Sequence, residues 1–162
     1  MNIIKEERAM EKVIVYTDGG CRGNQNETNV GGWGAVLSYK GKEVELKGGK
    51  LNTTNNVMEL TGVIEALKHI KTNNIHIEVY ADSAYVVNGM NSWVKNWIKN
   101  NWRKSNKKPV ENKELWMELN ELVKNQASVT FLKVKGHSGD AGNEKADELA
   151  NKAMDELESV TP

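Results

Sequence analysis

Short apolar runs broken by glycine and polar turns fill the first third of the chain, and a helical period takes over after it. VIVYTD, from Val13 to Asp18, predicts a strand that runs into a glycine-rich loop, GGCRGNQNETNVGG. WGAVLSY and EVELKGG flank Lys40-Gly41-Lys42, which predicts a hairpin with Gly41 in the turn. TTNN then supplies capping side chains, and Val57, Leu60, Ile64 and Leu67 recur at helical spacing behind it. IHIEVYAD predicts a fourth strand, followed by a short helix from Ala84 and an amphipathic run from Trp93 to Trp102. Asn112 is expected to cap another helix, with Leu115, Trp116, Leu119, Leu122 and Val123 on one face. SVTFLKV predicts a fifth strand, GHSGDAG a loop, and Asn143 to about Glu158 a last helix. The order βββαβααβα describes an α/β domain: a mixed five-stranded sheet with helices on both faces.

Composition narrows the class. At 162 residues, 38% apolar and 27% charged, the chain has the make-up of one globular domain with a real core. No apolar run approaches the ~20 residues of a membrane span, so no membrane role is expected. The opening MNIIKEERAMEK lacks the apolar stretch of a signal peptide, and Cys21 is the only cysteine. Both features predict a cytoplasmic protein without disulfides. Residues 1–10 are expected to form a loosely held arm, 11–158 a single domain, and 159–162 a tail.

Charge changes the picture where the total conceals it. The formal net charge is zero, yet WVKNWIKNNWRKSNKKP, Trp93 to Pro109, threads three tryptophans through six basic residues. Acids dominate between Ser138 and Glu158. A local potential of this kind suits a polyanion, a membrane surface or a protein partner. Its helical part spans about three turns, marginal for an independent membrane-binding helix.

Four acids stand where acids are costly. Asp18 and Asp82 each end a predicted strand, and ligands gather outside the carboxyl ends of strands in open α/β sheets. For either alone, a turn-initiating aspartate is the better account. Glu59 falls beside Val63, Ala66 and Ile70 on its helix, and Asp147 flanks the Ala150 and Met154 side of the last helix. Carboxylates at a core margin need a partner, and four together repel unless a cation intervenes. Hard oxygen ligands suit Mg²⁺ or Mn²⁺, and two such ions can cleave a phosphodiester. Zinc is a poor alternative, since His69, His76, His137 and Cys21 have no ligand spacing. His137, ten residues before Asp147 in KGHSGDAG, is either an incidental loop residue or a proton shuttle at such a site.

The segments YTDGGCRGN, GGWGAVL, TTNNVMEL, YADSAYV, WVKNWIKNNW with KKPVEN, and VKGHSGDAGNEKADELA occur in an order that resembles the type 1 ribonucleases H, bacterial ribonuclease HI, from about Val13 to Ala153. The resemblance implies a ribonuclease H-like fold and Mg²⁺-dependent endonucleolytic cleavage of the RNA strand of an RNA–DNA hybrid. It implies two metal ions, with Mn²⁺ as a possible substitute, and 5′-phosphate and 3′-hydroxyl products. By the same resemblance Asp18, Glu59, Asp82 and Asp147 are the metal-binding carboxylates and His137 the mobile-loop histidine. Asn24, Asn55 and Asn56 are implied hybrid contacts, and residues 91–111 the basic protrusion that grips the DNA strand. Within it Trp93, Trp97, Lys99, Trp102, Arg103 and Lys107 are the expected nucleic-acid-binding residues. A monomer with no obligate protein partner is expected. Ala84 stands where many relatives carry glutamine, and the Gln25–Val30 loop is longer than usual.

Other nucleases fit less well. A proofreading-type exonuclease needs Asp-x-Glu on its first strand, but Gly19-Gly20 follows Asp18. A transposase-like triad would use Glu118, 35 residues beyond Asp82, yet Glu118 shares a polar stripe with Glu111, Glu114 and Glu121. A catalytically dead binding module of the same fold would have no need of all four acids.

Overall fold

The computed structural model describes residues 12–23, 28–134 and 140–160. Five strands form one sheet in the order β3-β2-β1-β4-β5, with β1 at Lys12–Arg22, β2 at Val30–Tyr39, β3 at Lys42–Leu51, β4 at His76–Ala81 and β5 at Ser128–Lys133. β1, β2 and β3 pair antiparallel, whereas β4 pairs parallel to both β1 and β5, so the sheet is mixed as expected. Lys40 and Gly41, at φ 49° and 78°, make the two-residue turn between β2 and β3. Positive φ at both centres matches the right-handed strand twist.

Alternation along the strands divides the core. Val13, Val15, Ala35 and Leu37 face one side, under the helix α1 at Asn55–His69 and α4 at Lys113–Lys124. Tyr16 and Val36 face the other side, where Ala146 and Leu149 of α5, Ala141–Val160, cover them. Helices therefore lie on both faces. Thr54 caps α1, its hydroxyl accepting from the Val57 amide at 3.1 Å.

Four local expectations change. β1 continues past Asp18 to Arg22, because Gly19 to Arg22 still pair with β2. The short helix expected from Ala84 and the amphipathic run expected from Trp93 to Trp102 form one continuous run: α2 at Ala84–Asn88, a π-helical turn at Gly89–Trp93, and α3 at Val94–Lys99. The run stops at Lys99 because Asn101 and Trp102 turn to φ 54° and 59°. Asn112 precedes α4 but does not cap it with its side chain; at φ 58° that side chain instead donates to the Tyr85 hydroxyl at 3.2 Å. α5 starts at Ala141, two residues earlier than the pattern suggests, because Asp140 caps it. No helix among the described residues is long and apolar enough to cross a membrane.

Candidate active site

The parallel ladder between β1 and β4 ends at the pair Thr17–Ala81. Asp18 and Asp82 are the next residues on each strand's path, so both aspartates stand side by side just beyond that ladder. β1 itself goes on because its other neighbour, β2, still pairs with it. The position, rather than a strand end, is what sets Asp18 apart.

Two close backbone approaches bring in the helical acids. A Cβ on Gly19 would lie 2.6 Å from the Met58 carbonyl carbon and 2.8 Å from the Glu59 amide nitrogen, so only glycine lets α1 rest on β1 there. That approach delivers Glu59 to Asp18. On the opposite face Gly34, paired with Asp18, meets α5 so closely that a Cβ would lie 2.3 Å from the Ala146 carbonyl oxygen. Asp147 follows directly and comes within hydrogen-bonding reach of Asp18.

All four carboxylates line one open cleft of about 400 Å³, together with Gly19, Gly20, Asn55, Asn56, Ser83, Ala150, Asn151 and Met154. Glu59 is buried, at 9% exposure, and its Oε2 has no hydrogen-bond partner. Burial, then the Asp18 and Asp82 charges, push its pKa up to about 9. Asp18 is pushed up to about 7, first by burial and then by the neighbouring Asp147, although it accepts the Gly19 amide at 2.8 Å. As they stand, the described His, Cys, Asp and Glu side chains form no ready-made group of three converged on one point. A donor set of hard oxygens, one of them buried and unpaired, fits Mg²⁺ or Mn²⁺.

Of the expected hybrid contacts, Asn55 and Asn56 lie exposed at the start of α1, on the rim of the same cleft. Asn55 Oδ1 accepts the Cys21 amide at 2.7 Å, so its oxygen is already engaged. Asn24 and His137 lie outside the described residues.

The basic segment is built from aromatic packing. Trp97 is half-buried between Trp93 at 6.0 Å, Trp102 at 6.2 Å and the fully buried Trp116 at 5.4 Å, centroid to centroid. Tyr85 locks the group: its hydroxyl accepts from Trp116 Nε1 at 3.1 Å. Trp97 and Trp102 thus serve first as core anchors, while Trp93 is 37% exposed. Beyond them Lys104 and Val110 donate their amides to the carbonyls of Lys108 and Trp102, closing a tight loop. Lys99, at the end of α3, and Arg103 and Lys107, on the loop, are exposed, and no carboxylate among the described residues pairs with them. Ile98, on the same short helix, is 46% exposed.

Sequence reasoning missed several contributors. Asn151 lines the cleft and donates to the Asp147 carbonyl at 3.0 Å; its position four residues after Asp147 was a usable signal. Asn29 clasps Thr53 in both directions, at 2.9 Å each, and so ties the loop before β2 to the start of α1. Nothing local marks that pairing. Glu118 is exposed and 3.7 Å from Lys68, far from the role a transposase triad would give it.

Known proteins agree with this architecture. The RNase H family profile matches residues 10–155. A ribonuclease H of Clostridium botulinum is 53% identical over 149 residues, 91% of this chain and 99% of the relative. One of Francisella tularensis subsp. novicida is 51% identical over 157 residues, 97% of this chain and 98% of the relative. Among solved structures, LC9-RNase H1, a type 1 RNase H with the type 2 active-site motif, superposes with a TM-score of 0.75 at 36% identity, over 90% of this chain and 73% of that one. LC11-RNase H1, solved in complex with an RNA/DNA hybrid, gives 0.68 at 27% identity, over 90% and 98%. With the profile, the full-length relatives and the sheet order in accord, the chain belongs to the type 1 ribonuclease H family, nucleases that degrade RNA in RNA–DNA hybrids.

Proposed function

We propose that this protein is a metal-dependent endoribonuclease that hydrolyses the RNA strand of RNA–DNA hybrids through two divalent ions held by Asp18, Glu59, Asp82 and Asp147. The observation that carries the reading is the gathering of these four acids from four separate segments into one cleft, with Glu59 buried and its Oε2 unpartnered. Bound Mg²⁺ or Mn²⁺ would supply the Lewis-acid chemistry, activating water and easing departure of the 3′ oxygen, so that 5′-phosphate and 3′-hydroxyl ends result. One chain is enough, because every ligand is its own.

The protein's residues bind and orient. Asn55 and Asn56 stand at the rim, and their amides would hydrogen-bond the RNA 2′-hydroxyl, which is how RNA is told from DNA at a given position. Asn24 and His137 join the reading by resemblance, the latter as the group that moves a proton at the product oxygen. Lys99, Arg103 and Lys107 lie free to meet phosphates, a contact that reads backbone rather than sequence. A single free cysteine, Cys21, fits a reducing cytoplasm.

The test is a labelled RNA–DNA duplex incubated with Mg²⁺, with EDTA, and with Asp18→Asn protein. Cleavage is expected only in the first. Cutting that persists in EDTA, or in the variant, overturns the metal mechanism.

A further inference from the structure

Behind the two strand carboxylates lies a pair of tyrosines that the reaction leaves unused. Tyr16 and Tyr80 are register partners on β1 and β4, each two residues before its aspartate. Their rings stack at 5.0 Å and 18°. The Tyr80 hydroxyl donates to Glu78 Oε1 at 3.1 Å, and Lys12 holds the other Glu78 oxygen at 2.9 Å, so the lower ring is fixed. The Tyr16 hydroxyl donates to Asp140 Oδ2 at 3.2 Å.

Asp140 is the cap of the helix that carries Asp147. Its Oδ1 accepts the amides of Gly142 at 3.0 Å and Asn143 at 3.4 Å, and its carbonyl accepts that of Glu144 at 3.0 Å. The first turn of α5 lies on the Tyr16 ring so closely that a Cβ on Gly142 would come within 2.4 Å of it. Glycine near the start of a helix costs backbone entropy that alanine would not, and this contact explains its presence. Tyr16 thus touches the start of the helix bearing Asp147 with its hydroxyl and its ring face, and belongs to the strand bearing Asp18. Through Tyr80 it also registers the strand bearing Asp82.

We propose that Tyr16 is a positioning residue for the metal site: its hydroxyl, through Asp140, sets the start of α5 so that Asp147 comes to bear on Asp18 and Asp82. This rests on the reading of those carboxylates as metal ligands.

The experiment measures Mn²⁺ binding to the metal-free full chain by the electron-spin signal of free Mn²⁺, without substrate, alongside Tm. Tyr16→Phe keeps the ring and its stacking and removes one hydrogen bond. It is expected to weaken Mn²⁺ binding roughly two- to tenfold, the range one such bond supplies. The Mg²⁺ concentration for half-maximal cleavage should rise in step, with the rate at saturating Mg²⁺ unchanged. Asp140→Ala should do at least as much, the double variant no more than Asp140→Ala, and Asp140→Asn should recover most of the affinity. Should Tyr16→Phe fold poorly, the Asp140 pair tests the same link from its other end. Wild-type affinity in Tyr16→Phe, or equal affinity in Asp140→Ala and Asp140→Asn, overturns the proposal whatever happens to Tm. Absence of Mn²⁺ binding by the wild-type chain would instead overturn the metal-site reading itself.

Discussion

The acidic cleft and the basic loop are opposite solutions to holding charge. In the cleft, Asp18, Glu59, Asp82 and Asp147 come from β1, α1, the residue just after β4 and α5, and the deepest of them, Glu59, is buried with one carboxylate oxygen unpartnered. In the loop, Lys99, Arg103 and Lys107 come from one short segment, stay in water, and ride on tryptophans that do the packing. The contrast teaches that chemistry and grip demand different things of a fold. The cleft must tolerate desolvated like charges, a cost only a cation offsets. The loop needs only a rigid apolar base and a high local positive potential.

Removing a charge from each region should therefore have different signatures. The largest effect is expected from Asp18→Asn, the hub that touches both Glu59 and Asp147: hybrid cleavage should fall on the order of a thousandfold, about 4 kcal/mol in transition-state stabilisation. A gel assay at saturating Mg²⁺ checks it, and a modest loss would erase the distinction between the regions. Replacing Lys99, Arg103 and Lys107 together by alanine should raise KM about 10- to 100-fold and leave kcat nearly intact. The slope of log affinity against log salt should shrink by up to about 2–3, one phosphate contact per cation lost. Equal losses in kcat would show that the loop takes part in chemistry.

Stability sharpens the comparison further. The Glu59 pKa is raised in the folded protein, to about 9 from 4.5, so the folded state takes up a proton that the unfolded state releases. In EDTA the stability tied to this group is fully present below about pH 4.5 and is lost as pH rises towards 9. Glu59→Gln should flatten that decline and raise Tm at pH 8 by roughly 4–8 °C, equivalent to about 2 kcal/mol. Thermal melts at pH 5 and pH 8 decide it; parallel declines in both proteins would mean that the burial is not costly. The smallest effect belongs to the loop. Lys107 sits at φ 68°, so Lys107→Gly should stabilise by about 0.5–1 kcal/mol while weakening hybrid binding. Stability and affinity would move in opposite directions at one residue, a behaviour not expected of any carboxylate in the cleft with metal bound.

The strands, the helices α1, α4 and α5, and the suspect status of the four acids were all legible from period and position, because alternation and helical spacing are local properties of the chain. The resemblance across six ordered segments added the substrate class, which periodicity alone does not carry. The hinge-like details were not legible. A single helical run from Ala84 to Lys99 with a π turn, and its arrest at Asn101 and Trp102, depend on how Trp97 and Trp116 pack. Asn112 looked like a cap by residue type, but Tyr85, 27 residues away, claims its side chain.

What the sequence determined by itself is therefore the element order, the two-sided core, the family and the residues worth suspecting. Only the tertiary structure decided that Asp18 lies inside a strand that outruns its parallel neighbour, and that Gly19 and Gly34 let two helices close on it from opposite faces. It also decided that Trp97 and Trp102 anchor the loop, leaving Trp93 and the cations outermost. The physical reason is the same in each case. Local pattern encodes which side of an element is apolar, whereas desolvation, close approach and charge repulsion arise only when elements distant in sequence share one space.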